Sequence, residues 1–247
     1  ATASYIGYGW WSHDIGGHML GNRSDVMEAR WYELGTFSPV NRLHSTKMSF
    51  SGKEPWNFRS EVEQAMGEAL RLRHKLLPYI YTMNYLAYKE YRPLIAPMYY
   101  DYPENEQAYP VRELSFVEGV SNNQYLFGTD MMVAPITSDQ IDILNQGKVK
   151  VWIPEGCYHD FFTGLIYKGE KVLWMFRDLN SIPVLVKAGA IIPMQKELFG
   201  KDFLKNPDEL IIYFINYTCS QNDLHLSLRK ENTFYTFNVL NIFLISL

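Results

Sequence analysis

Gly9-Trp10-Trp11-Ser12-His13-Asp14-Ile15-Gly16-Gly17-His18 is the stretch that decides the fold. It closes a longer run, residues 5–15, that reads as a buried strand ended by the breaker pair Gly16-Gly17. A short helix is predicted next. Ser24 caps its start, Val26, Met27, Arg30, Trp31 and Leu34 form one face, and Gly35 supplies the stop. Residues 36–40 read as a second short strand, leading into the polar loop Asn41-Arg42-Leu43-His44-Ser45. Strand, helix, strand is the order that a parallel α/β sheet or barrel repeats.

Further along, a helical region is predicted over residues 59–91. Val62, Met66, Ala69, Leu70, Leu76, Leu77, Ile80 and Tyr81 recur there mainly at intervals of three, four and seven. Pro78 must kink that region or open a new helix, because it lacks a backbone donor and restricts Leu77. After Pro93 the texture turns β-like, with runs at 131–136, 149–153, 172–176, 182–193 and 210–217 between turn residues. The alternation in Lys148-Val149-Lys150-Val151-Trp152-Ile153 is that of a half-buried antiparallel strand. The fold class expected is therefore α/β followed by all-β, sandwich-like material.

Composition narrows the function classes. With 47% apolar and 20% charged residues, the chain reads as globular rather than disordered. A net charge of −4 without a basic stretch argues against nucleic-acid binding. The longest apolar-rich stretch, residues 237–247, is broken by Asn238 and Asn241 and is too short to span a bilayer, so no membrane partner is expected. Cys157 and Cys219 lie far apart without metal-ligand spacing, which indicates neither a disulfide framework nor a zinc site. The start has no initiator Met and runs directly into the motif-bearing strand, so it reads as internal; the location expected is cytoplasmic.

The chemistry-bearing residues cluster at the two strand ends. A carboxylate at the C-terminal end of a barrel strand, Asp14, stands where such folds build their sites, and Gly16-Gly17 leaves room beside it. On spacing alone, an Asp that only caps the following turn fits equally well. His13 and His18 stand five apart across the glycine turn, a spacing that matches no standard zinc pattern. Ser12 lies in no nucleophile elbow. His44, with Arg42, sits on the loop after the second strand, so an acid and an imidazole share one rim. Such a pair suits adjacent sugar hydroxyls, Asp14 accepting and His44 donating.

The strings Gly-Trp-Trp-Ser-His-Asp-Ile-Gly-Gly-His (9–18), Phe-Ser-Pro-Val-Asn-Arg-Leu-His-Ser (37–45) and Arg-His-Lys-Leu-Leu-Pro-Tyr-Ile-Tyr-Thr (73–82) resemble family-31 glycoside hydrolases, in this order and spacing. Echoes at Phe127-Gly128, Val133-Ala134-Pro135, residues 152–156 and residues 189–193 extend the resemblance over roughly residues 1 to 195. It implies a (β/α)8 barrel followed by β-sandwich domains, and cleavage of α-glycosidic bonds with retention. Residues 1–130 would be the C-terminal part of the catalytic barrel, with its seventh and eighth strands. Residues 131–197 would be a proximal β-sandwich, and 198–247 a partial or disrupted distal β domain.

The same resemblance places Asp14 and His44 on hydroxyls of the sugar in the cleaved-residue subsite. His18 and Trp11 join the substrate-binding set, and Arg42 braces the loop. The substrate implied is an α-linked glucoside or oligosaccharide, and no cofactor is implied. The catalytic nucleophile and acid/base would both lie upstream of residue 1, so this C-terminal fragment is expected to be inactive alone. A non-catalytic carbohydrate-binding or vestigial product is the alternative. Residues 215–247 match nothing in the family pattern, which points to a disrupted frame near 215. The helix face at Leu70, Leu77 and Ile80 is expected to have lost its barrel wall.

Overall fold

The computed structural model describes residues 2–17, 23–47, 51–109, 123–141, 143–196, 209–215, 226–230, 233–237 and 241–246. Helices come first: α1 (Thr2–Tyr5), α2 (Asp25–Thr36), α3 (Ser60–Lys75) and α4 (Leu77–Glu90). Strands follow: β1 (Ile95–Pro97), β2 (Tyr125–Phe127), β3 (Met131–Val133), β4 (Gly147–Ile153), β5 (Cys157–Asp160), β6 (Ile166–Lys168) and β7 (Lys171–Arg177). The series ends with β8 (Val184–Lys187), β9 (Ile191–Gln195), β10 (Glu209–Phe214), β11 (Leu226–Lys230), β12 (Thr233–Phe237) and β13 (Asn241–Ser246). No helix among the described residues is long and apolar enough to cross a membrane.

The predicted strand over residues 5–15 does not form as one element. The chain there makes α1, then turns, and meets its neighbour only at two parallel bridges, Ser12 with Val40 and Ile15 with Leu43. Gly7, at φ +81°, and Gly9 interrupt the run, and glycine weakens a ladder that has a partner on one side only. The expected strand over 36–40 likewise shrinks to the bridge at Val40. The parallel relation between the two segments survives, and it is what sets the site.

Helix α2 forms as its signals dictate. Ser24 is the N-cap, its hydroxyl accepting from the Met27 N–H at 3.3 Å, and Asp25 and Glu28 supply negative charge to the first turn. Gly35 does not stop it, because α2 runs on to Thr36. Gly35 is instead a contact point. A Cβ built there would lie 2.4 Å from Ile15 Cδ1, so the missing side chain lets the fully buried Ile15 pack onto the helix. Ile15 joins Ala29, Tyr32, Val62, Ala65 and Met66 in a small core between α2 and α3.

The long helical region divides at Leu76, with Pro78 in the first turn of α4, as proline geometry requires. Ile80 of α4 is buried in the main core beside Leu76 and Tyr79, and Leu70 packs partly against the smaller core, so neither is stranded. The exposed aromatic positions of α4 are Tyr81, Tyr85 and Tyr88.

The main core lies under a six-stranded antiparallel sheet, ordered β1-β2-β3-β8-β5-β6, which crosses residue 130. The alternation read at 148–153 corresponds to β4, paired with β7 as a two-stranded ribbon, Trp152 opposite Val172. The Gln124 side chain ties that ribbon to the start of β2: its carbonyl accepts from Trp152 N–H at 2.8 Å and its amide donates to Trp152 C=O at 2.9 Å. The run read at 182–193 splits at Gly189 into β8, in the large sheet, and β9, which pairs with β10. Past residue 215 the chain still forms strands, and β13 pairs with β10 along its whole length. Cys157 is disulfide-bonded, a single bridge and not a disulfide framework.

Arg30 and Glu33 join the helical part to the β part. Arg30, almost fully buried, donates to Glu33 at 3.0 Å, to the Ser181 carbonyl at 2.8 Å and to the Arg177 carbonyl at 3.0 Å. One Glu33 oxygen has no partner among the described residues, and burial outweighs the Arg30 attraction, pushing the carboxyl up to about 8. The folded state therefore binds a proton that the unfolded chain has released, and stability falls as pH rises from about 4.5 to about 8. Urea midpoints should decrease over that interval for the parent protein and change less for Glu33→Gln. Parallel pH curves for the two would refute this assignment.

Candidate functional site

The two parallel bridges bring the ends of the quoted stretch and of the 36–45 segment side by side. The Ile15 N–H donates to the Arg42 carbonyl at 3.2 Å, and the His44 N–H donates to the Ile15 carbonyl at 3.2 Å. Residues 14 and 44 are thereby set on one rim. Arg42 donates to Asp14 Oδ1 in an ion pair, and His44 Nδ1 lies 4.0 Å from Asp14 Oδ2. All three side chains are partly exposed, at 38% for Asp14, 52% for Arg42 and 29% for His44. An ion pair this exposed contributes little stability, about 0–1 kcal/mol, so its main effect is to orient the carboxylate.

Gly16 and Gly17 turn the chain away from the rim with φ of +90° and +73°. The space beside Gly16 is not vacant: a Cβ there would meet Glu28 Oε1 at 2.4 Å and Lys53 Cδ at 2.6 Å. The glycine accommodates the buried Glu28, whose carboxyl burial pushes up while Lys53, 3.7 Å away, opposes the shift.

Every described acid between residues 1 and 45 has a basic partner. Asp14 pairs with Arg42, Asp25 with Arg23, Glu28 with Lys53 and Glu33 with Arg30. None forms a pair of carboxylates facing each other across a space for substrate. Trp11 packs partly buried against the main core, and its indole N–H has no acceptor among the described residues. His18 lies outside the described residues. No group of His, Cys, Asp and Glu among the described residues could hold a metal ion.

Comparison with known proteins identifies this arrangement. Residues 1–83 match the description of the family-31 glycosyl hydrolase TIM-barrel domain, and residues 91–192 match that of the family-31 C-terminal domain. The chain belongs to glycoside hydrolase family 31. It is 31% identical over 211 residues to an alpha-xylosidase from Saccharolobus solfataricus, covering 83% of this chain and 26% of the relative. It is 30% identical over 197 residues to neutral alpha-glucosidase C of Mus musculus, covering 78% of this chain and 20% of that protein. Among solved structures, a family-31 dextranase from Flavobacterium johnsoniae complexed with glucose superposes with a TM-score of 0.75 at 26% identity, covering 92% of this chain and 26% of that one. The chain thus spans about a quarter of the length of the relatives it matches. Its architecture is the end of the family-31 barrel followed by C-terminal β structure.

Sequence reasoning missed what holds this family-31 rim in place. Four successive carbonyls, from Thr36 to Pro39, receive side-chain donors. Arg73 of α3 donates to Thr36 C=O at 3.0 Å, to Ser38 C=O, and to Pro39 C=O at 2.9 Å. Tyr125 of β2 donates to Phe37 C=O at 2.9 Å. Burial pulls the guanidinium down to about 10, so it stays charged at neutral pH, and burial pushes the Tyr125 phenol up. Arg73 stands in one of the quoted strings, yet a lone basic residue on a helix carries no sign of such a role.

The other missed group is the surround of His13. Its Nδ1 accepts from the Trp31 indole N–H at 3.0 Å, and its Nε2 lies 2.9 Å from Ser38 Oγ. Both ring nitrogens are thus engaged, which leaves none for a metal. Replacing Tyr125 with Phe leaves the Phe37 carbonyl without this donor and should cost about 1–3 kcal/mol. Arg73→Met removes three such donors and should cost more. Chemical denaturation measures both, and equal, negligible losses would show that these carbonyls are solvated.

Proposed function

We propose that this chain supplies one wall of the sugar subsite of a retaining α-glycosidase acting on α-glucosides or α-xylosides, with Asp14 and His44 binding hydroxyls of the cleaved sugar. The observation that carries this reading is the convergence of Asp14, Arg42 and His44 on one rim, across a parallel bridge at the end of a family-31 barrel. An ionised carboxylate only accepts hydrogen bonds, while an imidazole N–H donates. Together they read two neighbouring hydroxyls of a pyranose, and Arg42 keeps the carboxylate facing them. The family resemblance adds Trp11 and His18 to this proposed set. The named relatives, an alpha-xylosidase and neutral alpha-glucosidase C, support the substrate class.

Retention requires two carboxyl groups about 5–5.5 Å apart, one forming a glycosyl ester and one exchanging the proton. The four described acids of residues 1–45 are all committed to basic partners, so the pair would come from another part of the whole protein. Asp14 and His44 would then act by binding. Their contacts tighten as positive charge develops on the sugar ring in the oxocarbenium-like transition state.

In the whole protein, Asp14→Asn should lower kcat/KM on nitrophenyl α-glycosides by about 100-fold or more, because it loses an interaction that grows in the transition state. An unchanged kcat/KM would remove Asp14 from the site. Sugar binding without turnover by the whole protein would favour a carbohydrate-binding role over an enzymatic one.

A further inference from the structure

The loop that carries Asp14 is joined to α2 by a hydrogen-bond chain whose direction is fixed at every link. Trp31 Nε1 is a donor only, so His13 Nδ1, 3.0 Å away, must be the acceptor and carry no proton. A neutral imidazole then has its proton on Nε2, which donates to Ser38 Oγ at 2.9 Å. The Ser38 hydroxyl in turn donates to the Leu34 carbonyl at 2.7 Å, at the end of α2. The His13 and Trp31 ring planes lie 16° apart with centroids 6.4 Å apart, an arrangement that lets the indole N–H approach in the imidazole plane.

Ser38 is also one of the residues whose carbonyl Arg73 holds, and it stands four residues before Arg42. His13 is adjacent to Asp14. The imidazole therefore connects both limbs of the rim, the one bearing Asp14 and the one bearing Arg42 and His44. We propose that His13 is a positioning residue for Asp14: as a neutral imidazole it registers the Asp14 loop against Trp31 and Ser38, and its protonation breaks that register. An imidazolium has N–H on both nitrogens. Its Nδ1–H would point at the Trp31 N–H, two donors facing each other, and the loop must shift to relieve the clash.

Several charges bear on this equilibrium. Burial lowers the imidazole from its usual value, and Asp14 next to it opposes that shift. Arg42 and His44 stand behind Asp14, and Arg73 lies under the Ser38 carbonyl. Trp31 and Ser38, the direct partners, do not titrate in the physiological range.

This inference rests on Asp14 binding sugar, and the experiment separates the two. In the whole protein, Trp31→Phe removes the opposing donor, so His13 accepts a proton more readily. A protonated Nδ1 then faces no donor, so the part of the acid-side fall in kcat/KM that His13 causes should shrink relative to the parent. His13→Asn retains an acceptor near the Nδ1 position and cannot titrate, so it should lack that part of the fall with or without Trp31→Phe. His13→Ala should lower kcat/KM by about tenfold, with His13→Asn recovering most of that loss.

A readout independent of activity is nitrogen-15 NMR of histidine-labelled protein, in which the His13 Nδ1 should show the shift of an unprotonated ring nitrogen at neutral pH. A protonated Nδ1, or an acid limb that Trp31→Phe leaves in place, would overturn the proposal. If Asp14→Asn lowers kcat/KM while the His13 and Trp31 variants behave as the parent, the positioning role alone fails. If Asp14→Asn has no effect, the sugar-binding reading itself fails, whatever NMR shows of the tautomer.

Discussion

The rim depends on the guanidinium of Arg73. Backbone carbonyls near a site must be hydrogen-bonded or hydrated; Thr36 ends α2 and Phe37 to Pro39 are neither helix nor strand, so no ladder serves these carbonyls. Arg73 and Tyr125 supply donors from two other elements, α3 and β2, to four consecutive oxygens. The segment is thereby fixed without regular structure, and it delivers Val40, Arg42 and Leu43 to their partners across the parallel bridges. Because Tyr125 belongs to the large sheet, the rim is registered against the β part as well as against the helices.

Much of the fold was legible because local signals are strong where they depend on near neighbours. The Ser24 cap, the break at Pro78 and the alternation of β4 are each set within a few residues, and each appears where it was read. The misreadings share a different cause. Residues 5–15 have the composition of a buried strand, but a parallel strand is made by its neighbours, and only two bridges to residues 40 and 43 are present. Gly35 looked like a helix stop because glycine so often is one, and its real role depends on Ile15, twenty residues away.

The site was legible to the same extent. Asp14, Arg42 and His44 were found from their places at strand ends and from the family's strings, and the structure brings them together. The groups that hold them were not found. Trp31, Ser38, Arg73 and Tyr125 act through contacts 18 to 88 residues apart in sequence, and even the family strings that contain Ser38 and Arg73 do not say what those side chains hold. First contacts with a ligand recur as patterns, whereas the bonds beneath them depend on three-dimensional packing.

Arg30 has a consequence of another kind. Its hydrogen bonds to the β part go to main-chain oxygens only, those of Arg177 and Ser181. A carbonyl is the same on every residue, so the junction recognises the path of that turn and not the identity of its side chains. The Asp178 carboxylate shapes that turn by accepting the Asn180 N–H at 3.0 Å, whereas the exposed Asn180 side chain is no part of what aligns the two halves of the molecule.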